Sequence, residues 1–216
     1  MGTELLIPQE NQVALVSHDP KDILTGLTYN SRVQLFQAIS NEVVDGKIGV
    51  GRFGVVKDKA IEHDLGKSFN AVIIAMRAFA IDFRDPKKIA TFTDPKSEGY
   101  KAILEIAMRP GKQGCMAGPQ FLLYMADFKE YMELGCFNKT FRREANNIFT
   151  LQGYRVTFTS NKIEAGGNIW FGPKVTKCME EFETPPVEQM KAVGMKFISS
   201  VKEDAEKVAE EETRER

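Results

Sequence analysis

Residues 68–83 read SFNAVIIAMRAFAIDF and contain the most apolar stretch of the chain, Ala71 to Phe83. Alternation at period two, the signature of a strand, puts Val72, Ile74, Met76, Ala78 and Ala80 on one face. Arg77, Phe79 and Phe83 fall on the other, with Arg84 just beyond. The stretch also falls short of a membrane helix, which needs about 18 apolar residues in a row, because Arg77 and Asp82 interrupt it.

Working outward, strand-like apolar signal recurs in Gly51–Lys57, Tyr100–Met108, Phe121–Ala126 with a continuation towards Phe137, Tyr154–Ile163 and Ile169–Cys178. Asp85-Pro86, Asp94-Pro95, Pro110-Gly111 and Gly166-Gly167 supply the turn chemistry between them. One helix interrupts the series: Thr140 serves as cap, and Phe141, Ala145, Ile148 and Phe149 recur at helical spacing. Upstream, Asp22 or Ser31 caps a second helix carrying Val33, Leu35, Phe36, Ile39 and Val43, which Gly46 ends. Downstream of Thr184-Pro185-Pro186, the residues Val187, Met190, Gly194, Phe197, Val201 and Val208 form a narrow apolar stripe on a charged helix.

The 216 residues, 43% hydrophobic and 27% charged, suit a globular chain and exclude collagenous or wholly disordered classes. The start lacks the basic and apolar regions of a secretory signal, so a cytoplasmic location is expected, that of the host if the protein is viral. Cys115, Cys136 and Cys178 are too far apart for a CxxC pair and are expected as buried thiols. The net charge of −1 hides a partition. Residues 1–46, an extended segment and helix, hold 2 basic and 6 acidic residues (−4); residues 47–178, the β domain, hold 21 and 13 (+8); residues 179–216, a helix and acidic tail, hold 6 and 11 (−5).

Enzyme signatures are sparse. His18 and His63 belong to no HExxH or cysteine-rich metal spacing, and no GxSxG elbow or phosphate-binding GxxxxGK[ST] loop is present. No metal, cofactor or catalytic residue is expected. The acids Glu180-Glu181 and Glu210–Glu212 read as solvated charge. Gly49-Val50-Gly51-Arg52-Phe53-Gly54 matches GxGxxG, but a dinucleotide site needs a preceding strand, a following helix and further βαβ units. A glycine-rich strand or hairpin is the preferred reading there.

The basic middle is more coherent, because cations interleaved with aromatics on strands suit single-stranded nucleic acid: phosphates need charge and bases need stacking surfaces. On Tyr154–Ile163, alternation makes Tyr154, Val156 and Phe158 core and turns Arg155, Thr157 and Thr159 outward. On the last strand Ile169, Phe171 and Val175 are core, leaving Trp170, Lys174 and Thr176 outward. The candidate nucleic-acid contacts are therefore Arg77, Phe79, Phe83, Arg84, Lys139, Arg142, Arg143, Arg155, Trp170 and Lys174. A second buried face is the competing account of the same aromatics.

Three strands, a helix and two closing strands is the order of an OB-fold, a small partly open barrel that binds oligonucleotides. With the segments GNIWFGPKVTKC and GYRVTFTSNKI and the acidic end, the chain from about residue 47 onward resembles phage-type single-stranded DNA-binding proteins. The resemblance implies a mainly β fold with peripheral helices, protection of single-stranded DNA during replication or recombination, and recruitment of replication or recombination proteins through the tail. It also allows a homo-oligomer. Two other classes remain open: a structural or assembly protein, viral or otherwise, and a nucleotide-cofactor enzyme built on GVGRFG.

Overall fold

The computed structural model describes residues 31–57, 60–84, 90–109, 111 and 114–199. It is mainly β with helices on the periphery, an α+β arrangement built on one open nine-stranded sheet. The elements in chain order are β1 (Arg32–Leu35), α1 (Asn41–Val44), β2 (Phe53–Lys57), β3 (Ala60–Gly66), β4 (Ser68–Asp82), β5 (Ala90–Phe92) and α2 (Glu98–Ala107). There follow β6 (Cys115–Met125), β7 (Glu130–Gly135), α3 (Lys139–Thr150), β8 (Arg155–Ala165), β9 (Asn168–Lys177) and α4 over residues 187–199. The strand order is β3-β2-β1-β7-β6-β4-β8-β9, with β5 on the distal part of β4. Among the described strands only β1 and β7 pair in parallel.

β4 organises the sheet. Its first residues pair with β8, and from Val72 to Asp82 it pairs with β6. Between Ile73 and Ala75 the register slips, and such a bulge changes which face later side chains occupy. Ahead of the bulge Phe69, Ala71 and Ile73 enter the main core with Phe53, Phe121, Leu123, Leu134, Val156 and Phe158. Val72, Ile74 and Ala75 turn to the opposite face and meet Met190, Val193 and Phe197 of α4. The expected single face running from Val72 and Ile74 through Met76 is thus split, since Met76 packs against the main core. Gly194 lets α4 approach closely: a Cβ there would lie 3.3 Å from both Ala75 and Ile74 side-chain atoms. The predicted stripe Val187, Met190, Gly194, Phe197 is the docking face.

The sheet is strongly curled. Phe53 of β2 meets Phe69 of β4 edge-on at 5.0 Å, and Phe69 stacks on Phe158 of β8 at 4.9 Å. Phe141, Ala145 and Ile148 of α3 fill one end of this core, while Phe149 is exposed. The helix is capped by Asn138 rather than Thr140, its side chain accepting the Phe141 amide proton at 2.9 Å. Cys115, Cys136 and Cys178 are buried and unbridged, and burial pushes the Cys136 thiol up to about 12.

Three expectations need correction. The helix from Ser31 is a strand at its start, because Val33 and Leu35 alternate into the core while Arg32 stays outside; only Asn41–Val44 is helical. That strand belongs to the common sheet, so the sheet does not begin at residue 47. Tyr100–Met108 is not a strand: Ser97 caps α2 by accepting the Tyr100 amide proton, and Tyr100, Ile103, Leu104 and Ala107 meet Ala80 and Ala117 at helical spacing. β3 gives no strand signal in the sequence because its residues, AIEHDLG, form no apolar face. Asp22, Val201, Val208 and the acidic residues 203–216 lie outside the described residues. Among the described residues, no helix is long and apolar enough to cross a membrane.

Candidate nucleic-acid interface

β9 is the end of the sheet, and an unpaired edge leaves backbone donors and acceptors without partners. Pro173 has no amide proton to lose, as suits an edge position. Two residues to either side, side chains substitute for a strand: Val175 donates its amide proton to Glu144 Oε1 of α3 at 3.0 Å, and Phe171 donates to Gln37 Oε1 at 2.8 Å. Gln37 Nε2 in turn donates to the Phe171 carbonyl at 3.0 Å.

Gly172 completes the junction with α3. A Cβ on it would lie 2.4 Å from Thr140 Cγ2 and 2.9 Å from Ile163 Cδ1, so the absent side chain is what seats the first turn of α3 on β9. Trp170 and Lys174 flank Gly172 on the same strand face, and Trp170 is the cross-strand partner of Ile163. The helix start that docks here carries Lys139, Arg142 and Arg143. Lys139, Arg143 and Lys174 are exposed and Trp170 is half-buried; Arg142 reaches Met108 Sδ at 2.6 Å.

The residue three before Thr140 extends the surface. Phe137 lies over Gly135, where a Cβ would meet its ring at 2.2 Å, and its centroid is 5.8 Å from that of Phe79. The partner of Phe79 across the ladder is Gly118, so both half-buried rings rest on a floor without side chains. Sequence reasoning misses Phe137, which stands there only as the end of a strand; the available signal is its place between a glycine strand end and the Asn138 cap. Phe83 and Arg84 lie beyond the end of β4 and are exposed. Arg84 is tied to Asp82 at 2.6 Å, and its hydrogen-bonded guanidinium holds the Asp82 carboxyl down at about 2.

Two expected contacts face a different partner. Arg77 donates to Gln120 Oε1 at 2.8 Å and to the Phe197 carbonyl at 2.9 Å, pairs with Glu133 at 3.3 Å and lies 4.0 Å from the Phe197 ring centroid. Arg155 is buried, donates to the Phe182 carbonyl at 3.0 Å and lies 5.4 Å from the Phe182 ring centroid. Both hold the C-terminal segment on the sheet, because that face is covered by α4 and the chain leading into it. Gln120 also donates to Glu133 at 2.7 Å. Burial raises the Glu133 carboxyl to about 7, outweighing the opposing pull of Arg77 and Arg32.

The GVGRFG segment does not open a helix. Gly51 turns the chain at φ +71°, and from Phe53 the residues run as β2 and return as β3. Among the described residues no group of three or more His, Cys, Asp or Glu side chains is placed to hold a metal, and His63 stacks on Phe128 at 4.5 Å. No protein-family model, curated protein or solved structure matches the chain.

Proposed function

We propose that the protein binds single-stranded DNA, of the kind exposed in replication or recombination, across the surface where α3 meets the β8–β9 hairpin. The observation that carries this is the seat of Thr140 on Gly172, which brings Lys139 and Arg143 to the strand that bears Trp170 and Lys174; the Phe137–Phe79 pair, with Arg77 5.7 Å from the Phe79 ring centroid, stands just before the Asn138 cap of α3. Cations beside partly exposed aromatics provide the two interactions that unpaired strands require. The barrel reading is supported by connectivity: β4, β6, β7, α3, β8 and β9 follow OB-fold order, with β1, β2 and β3 as additions at the closing side. In that fold oligonucleotides lie across the second and third strands and the loop joining the last two. Here the outer face of the corresponding strands, β6 and β7, is covered by α4 through Leu122, Tyr124 and Tyr131, which leaves the β8–β9 hairpin bearing Trp170 as the matching surface. Arg77 and Arg155 are left out of the interface.

The test is equilibrium binding of a labelled single-stranded oligonucleotide and its duplex at two salt concentrations. Binding should favour the single strand, and log affinity should fall by about 0.7 per phosphate bound for each unit of log salt. Absence of binding at low salt together with large oligomers would favour the assembly role instead; cofactor-induced stabilisation would favour the enzyme.

A further inference from the structure

The side chain of Gln37 bonds both the amide proton and the carbonyl of a single residue on the free edge of β9, 134 positions away in sequence. It is held ready to do so. The Gln37 amide donates to Ser40 Oγ at 3.1 Å, and the Ser40 amide donates back to the Gln37 carbonyl at 3.0 Å. Beside this link, Gly51 abuts the Phe171 ring, where a Cβ would lie 2.5 Å away. Phe171 is the neighbour of Trp170, and the hairpin beyond it ends at Gly166 and Gly167, both at positive φ. Without an anchor at Phe171, the half of the hairpin carrying Trp170 would be paired on one side only.

We propose that Gln37 is a positioning residue for the nucleic-acid site: its amide clamps the Phe171 backbone and so fixes the Trp170 ring where a base stacks. This rests on the single-strand reading above. The chemistry requires a neutral amide of this length. Met has the size but neither donor nor acceptor, Asn is one methylene short, and Glu keeps the bond from the Phe171 amide while setting a carboxylate oxygen against the Phe171 carbonyl.

The experiment compares the full chain with Gln37→Met, Gln37→Glu, Trp170→Ala and the Gln37→Met/Trp170→Ala pair, using a fluorescent oligothymidylate as probe. Two readouts are followed: hydrogen exchange at the Phe171 amide in the free protein, and affinity. Gln37→Met should speed Phe171 exchange and weaken binding about tenfold, as expected when two hydrogen bonds are removed. Gln37→Glu should retain part of the Phe171 protection; should Gln37→Met fail to fold, the same comparison is made with Gln37→Glu. In the Trp170→Ala background the loss of affinity should shrink to less than about twofold, because a residue acting through another is not additive with it. The salt dependence should be unchanged, since every phosphate partner is kept.

Equal losses in both backgrounds, or faster exchange with unchanged affinity, would overturn the positioning role while leaving single-strand binding intact. Exchange that ignores Gln37→Met would overturn the clamp itself. A wild-type chain that binds no oligothymidylate, yet still shows Gln37-dependent exchange, would overturn the binding reading and with it the role assigned to Gln37.

Discussion

Substituting Gly172 by alanine should separate two parts of the interface by a single methyl group. The new Cβ would stand 2.4 Å from Thr140 Cγ2 and 2.9 Å from Ile163 Cδ1, far inside ordinary van der Waals separation. Neither side can yield freely: threonine is stiff at χ1, and α3 is locked behind it by Phe141, Ala145 and Ile148 in the core. Overpacking of this kind costs about 1–3 kcal/mol. Replacing glycine where the backbone is compatible stabilises by about 0.4–1 kcal/mol through the unfolded chain, and Gly172 is not among the glycines at positive φ. The net expectation is a loss of about 1 kcal/mol, or a fall of roughly 2–4 °C in Tm, with weaker binding of a single-stranded oligonucleotide as the start of α3 lifts from β9. Thermal melts and anisotropy titrations measure the two effects. Adding Thr140→Ser, which removes Cγ2, should restore most of both, leaving only the approach to the end of the Ile163 side chain. Unchanged Tm and affinity in Gly172→Ala, or no rescue by Thr140→Ser, would refute the idea that this junction assembles the surface.

Glu133 holds its proton to about pH 7 in the folded protein, against an ordinary value of 4.5. The folded state therefore binds the extra proton between those values, and stability should fall as pH rises through that window and level off above it; denaturant titrations of Glu133→Gln should show this slope removed and greater stability above pH 7. Arg155→Met should destabilise by about 1–3 kcal/mol by leaving the Phe182 carbonyl unpaired and should speed proteolysis within residues 179–186, with oligonucleotide affinity unaltered at temperatures where the fold is intact. Reversing Lys139 and Arg143 to glutamate should lower single-strand affinity and flatten its salt dependence by up to about 0.7 for each phosphate no longer bound, with no change in Tm beyond about 2 °C, since both side chains are solvated.

The closing hairpin is legible in the sequence because Val156, Phe158 and Val175 alternate with polar neighbours over a half-buried pair of strands. The stripe on α4 is legible for the same reason at helical period. Where that stripe lands cannot be read. Alternation does not tell solvent from a second cover, so Arg77 and Arg155 look exposed in the sequence although they tie down the C-terminal segment. The bulge at Ile73 to Ala75 has no local signature and reverses part of β4. In α2 the spacing of Tyr100, Ile103 and Leu104 is a helical pattern easily taken for an apolar strand, with Ser97 as the overlooked cap. The Gln37 clamp depends on two residues with no proximity in sequence.

The most direct test is to map which side chains touch the bases. A single-stranded oligonucleotide carrying 5-iodouracil, bound at low salt and irradiated, would be crosslinked and its peptides identified by mass spectrometry. Adducts should fall on Trp170 and on Phe79 or Phe137, and should disappear when excess unlabelled single strand is added. Adducts confined to the exposed side of α4 or to α2, with Trp170, Phe79 and Phe137 unmodified, would contradict the placement of the interface at the junction of α3 and β9.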